Sequence, residues 1–122
     1  MSDQCGGYEG FSAFWEQEDR ASILRIKGDL DLSASGALRA CLSDEVSLAG
    51  PPIVVDLAAV PFVDSTCLGV LIAALRQAKE TRGSLRLAAA RARVRRALEI
   101  AALDEIFPLF DSVEEALVAE DA

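Results

Sequence analysis

The feature that most limits how this chain can fold is an apolar run that passes into a helix through three polar residues. It occupies residues 60–75, where Asp64, Ser65 and Thr66 separate the extended part from the helical part. From Leu68 onward, apolar residues recur three, four and seven positions apart, which is the spacing of one helix face. The stretch therefore predicts an extended segment followed by an amphipathic helix that packs on a sheet.

The rest of the chain alternates between short β-type runs and helical periodicity. The predicted strands are 11–17, 22–27, 53–57, 84–89 and 106–109. The predicted helices begin at Ser33 or Ser35, at Leu68, at Arg91 and after Asp111-Ser112, and the first of them ends before Gly50-Pro51-Pro52. This order predicts an α/β fold with a mixed four- to five-stranded sheet, an N-terminal antiparallel hairpin and about four helices.

One domain is expected, because 122 residues with a hydrophobic fraction of 52% are enough for a single core. Residues 1–10 contain three glycines and no sustained period, which predicts a flexible N-terminal segment. We expect the domain to cover 11–118 and residues 119–122 to form a frayed C-terminus.

The charge balance favours a protein partner over nucleic acid. A formal net charge of -8 disfavours broad attraction to phosphate backbones or to anionic lipid heads. Four arginines run against this balance, but they fall on a predicted amphipathic helix, where a solvated face is the simpler interpretation. They are Arg91, Arg93, Arg95 and Arg96. Arg91 is also a candidate contact for a protein partner.

The cysteines favour reduced thiols. Cys5, Cys41 and Cys67 are an odd number at wide spacing, which suits neither a disulfide framework nor a paired zinc motif. Met1 is followed by Ser2 and Asp3 rather than by a basic and apolar leader, and the most apolar run, 67–75, is too short to span a bilayer. A soluble, cytoplasmic protein is expected.

The absence of histidine disfavours most enzymes and metalloproteins. Histidine is the usual general base for a serine or cysteine nucleophile and the commonest metal ligand. A serine hydrolase built on Ser65 would have to use Lys27, Lys79 or a carboxylate as its base. We therefore expect no catalytic activity and no cofactor.

Functional side chains are expected at one edge of the sheet, where loops leave the carboxyl ends of parallel strands. Those loops hold Asp29, Asp31, Asp64, Ser65 and Arg91. The three aspartates could hold magnesium, although capping of strand ends and helices is the simpler role. A serine hydroxyl at a helix start can cap free N–H groups, or it can carry a phosphate that faces the positive end of the helix dipole.

Three motifs carry a family resemblance. They are Gly28-Asp29-Leu30-Asp31, Val54-Val55-Asp56-Leu57 and Phe62-Val63-Asp64-Ser65-Thr66-Cys67-Leu68-Gly69. Together they resemble the STAS-domain anti-sigma-factor antagonists of bacteria, over about residues 11–118. The resemblance implies that a partner acting as both anti-sigma factor and serine kinase phosphorylates Ser65, and that a serine phosphatase reverses this. It also implies that the unmodified form binds the anti-sigma factor and releases a sigma factor.

The resemblance further implies a set of partner-binding residues around Ser65, to which the edge position adds Arg91. The set is Asp29, Asp31, Asp64, Thr66, Cys67, Leu68, Gly69 and Arg91. The sequence departs from the family pattern at Cys67, where glycine is usual; a buried packing role is favoured there over a redox-active thiol. STAS domains also serve as non-catalytic subunits of transport complexes or as signalling scaffolds, and those alternatives need no phosphate on Ser65.

Overall fold

A computed structural model of the chain describes residues 2–8, 10–18, 20–47, 52–81 and 83–119. The strands are β1 (Ser2–Tyr8), β2 (Phe11–Gln17), β3 (Ser22–Gly28), β4 (Ile53–Ala59), β5 (Leu85–Ala88) and β6 (Leu109–Phe110). The helices are α1 (Ser35–Ser47), α2 (Ser65–Glu80), α3 (Ala92–Ile100) and α4 (Val113–Val118), and short 3-10 turns lie at Leu32–Ala34 and Leu103–Glu105. Over these ranges no helix is both long and apolar enough to cross a membrane.

One mixed sheet organises the fold, and its strands follow the order β1-β2-β3-β4-β5-β6. Strands β1, β2 and β3 pair antiparallel, whereas β3, β4, β5 and β6 pair parallel. The predicted mixed α/β fold with an N-terminal hairpin is confirmed, although the described residues contain six strands rather than four or five.

The additional strand is β1, which was not predicted and lies within the segment that the sequence predicts to be flexible. Its backbone pairs with β2 from Ser2 opposite Glu16 to Tyr8 opposite Phe11. The sequence SDQCGGY carries no alternation of apolar and polar side chains. Its strand conformation therefore depends on hydrogen bonding to the neighbouring strand, which a local pattern does not reveal.

The main core lies on the face of the sheet that α1, α2 and α3 cover. In β2 this face is formed by Phe11, Ala13 and Trp15, which are buried at every second position as the alternation predicts. Helix α4 packs on the other face and closes a smaller core. That core contains Ala21, Ile23, Val54, Ala88, Val113 and Ala116. Because helices cover both faces, β4 reads as a nearly continuous apolar run.

The boundary predicted for the last strand needs correction. The last strand lies at Leu109–Phe110 rather than at 106–109, since Ile106 closes a turn and Phe107 is buried in the main core. Ser112 caps α4 by accepting a hydrogen bond from the backbone N–H of Glu115 at 3.1 Å, as its sequence position predicts. The predicted helix end before Gly50-Pro51-Pro52 and most of the predicted frayed end at 119–122 lie outside the described residues.

A disulfide joins Cys5 of β1 to Cys41 of α1, with their Cα atoms 5.3 Å apart. The preference for three reduced thiols is therefore wrong for this pair. The two residues are 36 positions apart, and they meet only because β1 docks beside α1. Cys67 is a free, buried cysteine.

Arg25 links three strands on the face that also carries α4. Its Nε donates to Oε2 of Glu16 in β2, and its Nη1 donates to Oδ2 of Asp56 in β4, each at 2.6 Å. The hydrogen bond from Arg25 lowers the pKa of the Glu16 carboxyl. The junction between the antiparallel and parallel halves of the sheet is thus bridged by a charged side chain in β3.

We predict that Gly28→Ala destabilises the protein by roughly 2 kcal/mol or more. Gly28 has a φ of +105°, and an added Cβ would overlap the backbone carbonyl oxygen of Gly10. Urea unfolding of Gly36→Ala provides the matched control, because an added Cβ there meets no atom within 4 Å. A loss for Gly28→Ala no larger than for the control would contradict the proposed close approach of the two backbones.

Candidate functional site

Backbone hydrogen bonds join the loops that follow β3 and β4. The N–H of Leu30 donates to the carbonyl oxygen of Phe62, and the N–H of Asp64 donates to the carbonyl oxygen of Leu30, both at 2.9 Å. Leu30 and Val63 form an isolated parallel bridge beyond the ends of the two strands. We call the surface formed by residues 29–32, 58–66 and 89–93 the rim.

Asp64 is the N-cap of α2. Its backbone is extended, its Oδ1 accepts a hydrogen bond from the N–H of Cys67 at 3.0 Å, and its carbonyl oxygen accepts from the N–H of Leu68 at 3.0 Å. The helix therefore begins at Ser65, three positions before the predicted start. Ser65 is exposed, and its hydroxyl makes no hydrogen bond to the part of the chain that the structure describes. The capping role considered for this serine belongs to its neighbour.

Asp31 has the same role at the start of the 3-10 turn that leads into α1. Its Oδ1 accepts a hydrogen bond from the N–H of Ser33 at 3.0 Å, and the hydroxyl of Ser35 donates to the carbonyl oxygen of Leu32 at 2.8 Å. Asp31 is thus the cap of this 3-10 turn. Within the described ranges, no group of three or more His, Cys, Asp or Glu side chains is arranged to hold a metal ion.

Cys67 connects the first turn of α2 to the start of α1. Its thiol is fully buried and donates to the backbone carbonyl oxygen of Asp31 at 3.2 Å. Burial, reinforced by the nearby carboxylate of Asp64, raises the pKa of the Cys67 thiol to about 12. The structure therefore supports the packing interpretation. The backbone at this residue is helical, so a side chain can replace the glycine of the family pattern without strain.

The predicted partner-binding residues divide by exposure. The exposed members are Asp29, Thr66, Gly69 and Arg91. The half-buried members are Asp31 and Asp64, and the buried ones are Cys67 and Leu68. The bridge between the two loops and the contact of Cys67 with Asp31 bring the loops that carry Asp31 and Asp64 together at the start of α2. The side chains of Cys67 and Leu68 instead lie in the main core, where they support the first turn of α2 from beneath.

Two arginines extend the rim along the start of α3. The Nε of Arg91 donates to the carbonyl oxygen of Ala58 at 2.8 Å, and the guanidinium carbon of Arg93 lies 5.5 Å from the centroid of the Phe62 ring. One turn further along this helix, Arg95 pairs with Asp111 at 3.0 Å. The arginine cluster is thus distributed over several contacts rather than concentrated in one basic patch.

Leu32 is a rim residue that the sequence reasoning missed. It lies in the 3-10 turn directly after the Asp31 cap, and 69% of its surface is exposed. An available signal was the pair Leu30 and Leu32, which flank one residue of a loop. Leu30 is fully buried in the main core, whereas Leu32 is an exposed apolar side chain near the start of α2.

The positions of the lysines do not support a hydrolase. Lys79 lies in the last turn of the helix that Ser65 begins, 14 residues away (79 − 65), which corresponds to about 21 Å along the axis. Lys27 is exposed in β3, and no hydrogen bond connects it to Ser65 among the described residues.

Comparison with known proteins identifies relatives of this fold. A family model described as the STAS domain matches residues 15–116. The chain is similar to an anti-sigma factor antagonist from Mycobacterium paratuberculosis, with 28% identity, a TM-score of 0.81, and coverage of 91% of this chain and 94% of that one. It also shares its fold with the Bacillus cell fate determinant SpoIIAA in its phosphorylated form, with 22% identity, a TM-score of 0.67, and coverage of 85% and 95%.

A third similar structure comes from a different functional setting. It is a sulfate transporter family protein from Wolinella succinogenes, with 22% identity, a TM-score of 0.69, and coverage of 80% of this chain and 81% of that one. The architecture is therefore shared by proteins of more than one class, and the fold alone does not distinguish them.

We predict that Asp64→Ala lowers the free energy of unfolding by about 1 kcal/mol, because the N–H of Cys67 loses its acceptor. Ser65→Ala should change it by less than about 0.5 kcal/mol, since that exposed hydroxyl has no described partner. Urea unfolding of the two variants beside the wild type measures both values. An equal loss for Ser65→Ala would mean that the serine hydroxyl contributes to the cap.

We also predict that Cys67 resists alkylation in the native protein. At pH 8, iodoacetamide should modify it at least about a hundredfold more slowly than in urea, because the thiol is buried and its pKa is raised to about 12. The modified residue is identified by peptide mass spectrometry without reductant. Equal rates in the native and unfolded protein would indicate a reactive thiol at the rim.

Proposed function

This chain belongs to the STAS domain family, and on that premise we propose that it is an anti-sigma-factor antagonist controlled by phosphorylation of Ser65. The observation that carries the proposal is that two adjacent residues have different roles at the start of α2. Asp64 supplies the cap, while Ser65 presents an exposed hydroxyl that the fold does not use. A kinase can therefore modify this hydroxyl without removing a stabilising hydrogen bond.

The rim gives a phosphate at Ser65 a large electrostatic effect. A phosphoserine adds roughly -1.5 to -2 charges, next to the carboxylate of Asp64 and close to the loop that carries Asp31. Both carboxylates are fixed by hydrogen bonds to backbone N–H groups, so they do not swing away from the added charge. The phosphate changes the character of the surface while the backbone keeps its arrangement.

In the unmodified state the rim offers a mixed apolar and acidic surface for a protein partner. Leu32 supplies an exposed apolar side chain, and Thr66 and Gly69 are exposed on the adjoining surface of α2. Asp29 and Arg91 are exposed farther along the rim. With a net charge of -8, the complementary surface on the partner is expected to be basic.

The partner in this proposal is an anti-sigma factor that is also a serine kinase, and a serine phosphatase restores the binding-competent form. Binding of the unmodified protein releases a sigma factor, so transcription is activated without contact between this chain and DNA. The chain acts through binding alone and requires neither catalysis nor a cofactor. The described similarity to an anti-sigma factor antagonist over 91% of the chain supports this assignment.

We predict that a cognate anti-sigma kinase transfers phosphate from ATP to the wild type and to Thr66→Ala, but not to Ser65→Ala. Radiolabel incorporation and peptide mass spectrometry measure this directly, and Thr66→Ala is the matched control because it removes the neighbouring exposed hydroxyl. Ser65→Asp should bind the same kinase at least about tenfold more weakly than the wild type, since it places a charge where the partner docks. Equal labelling of wild type and Ser65→Ala would contradict the assignment of the acceptor.

Capture from a lysate separates this function from the transport and scaffold alternatives. Wild-type protein as bait should retain an anti-sigma factor with a kinase domain, and Ser65→Asp should release it. Retention of transporter components by both baits would instead support a role as a transport subunit.

A further inference from the structure

We propose that Cys5 and Cys41 form a reversible dithiol–disulfide site whose oxidation locks the edge strand β1 onto α1, and that a dithiol of the thioredoxin class reduces it. The site lies on β1 and α1 rather than at the start of α2. It is independent of the function proposed for Ser65.

A β-bulge brings the two sulfurs together. Gln4 pairs with Phe14 and Gly6 pairs with Ala13, so Cys5 is one extra residue on β1 between consecutive partners on β2. A regular strand would turn Cys5 and Gly6 to opposite faces. The bulge instead lets Cys5 pack against the main core on the side of α1 while Gly6 keeps its register.

Strand β1 lies at the edge of the sheet, where its neighbour is β2. Its side chains that the structure describes, at residues 4–7, include no aliphatic group to bury. Its close approach to α1 relies on Gly6, where an added Cβ would lie 3.2 Å from the Cβ of Ala37 and 3.4 Å from the Sγ of Cys41. The disulfide is thus the strongest link between this strand and the helical layer.

The difference in burial fixes the direction of reduction. Cys41 is 3% exposed, whereas Cys5 is half-buried, so a reductant thiolate attacks the Cys5 sulfur. The bond to Cys41 breaks, Cys41 leaves as a thiolate and takes up a proton, and a mixed disulfide forms on Cys5. The second thiol of the reductant then displaces Cys5. Two electrons and two protons pass to the pair, and the reductant becomes a disulfide.

Reduction changes what is needed to open the edge of the sheet. While the bond is intact, β1 cannot leave β2 unless α1 moves with it. In the dithiol form, the backbone hydrogen bonds to β2 and the packing of Cys5 and Gly6 against the helical side hold the strand without a covalent link. Local opening then exposes the edge of β2 without unfolding the parallel half of the sheet.

Hydrogen exchange measured by mass spectrometry on the full chain tests this proposal. After treatment with dithiothreitol, amides in residues 2–8 should exchange at least about tenfold faster, while amides in β4 remain unchanged. Oxidised glutathione should restore slow exchange. Cys5→Ser should match the reduced wild type without any reductant, and Cys67→Ala should keep the full response.

Three results would overturn the proposal. They are the titration of three free thiols in air-exposed protein, unchanged exchange in residues 2–8 after reduction, and equal acceleration of exchange in β1 and β4 after reduction. The last result would mean that the disulfide stabilises the whole fold rather than β1 alone. Cys5→Ser is the variant chosen for the test because the Cys5 side chain is only half-buried. The substitution therefore keeps the packing around the more deeply buried Cys41.

Discussion

The two hydrogen bonds between Leu30 and the loop after β4 are the constraint on which the functional surface depends. They extend the parallel pairing beyond the ends of β3 and β4, where the chain must turn into α1 and α2. With these loops joined, Asp31 caps the 3-10 turn before α1 and Asp64 caps α2. The buried thiol of Cys67, in α2, also donates a hydrogen bond to the backbone carbonyl oxygen of Asp31. The orientation of α2 is therefore set by contacts beneath the surface, and its first exposed residues remain available for recognition.

Local patterns predicted the parts of the fold whose conformation is decided by burial. The alternation in β2, the apolar run of β4 and the helical spacing in α2 each report which side of an element faces the core. The strand β1 and the bond between Cys5 and Cys41 were missed for the opposite reason. Both depend on pairing between segments that are distant in sequence, and an edge strand rich in glycine carries no burial pattern of its own.

The grouping of residues at the rim was easier to predict than the structural role of each one. Loops at the carboxyl ends of parallel strands must share one edge, which is enough to group Asp31, Asp64 and Ser65. Aspartate and serine are both good N-caps, so only the observed start of α2 decides which of the two performs that task. Leu32 was missed because its exposure depends on Leu30 occupying the buried position between the two loops.

The order of the strands in the sheet repeats their order in the chain. Each strand from β2 onward can therefore pair with the strand that precedes it in the chain. No strand has to insert later between two strands that are already in the sheet. A sheet of this kind can grow in one direction as the polypeptide leaves the ribosome. The last strand to join is β6, with two residues, so the final step of assembly adds little sheet and mainly brings α4 over the second face.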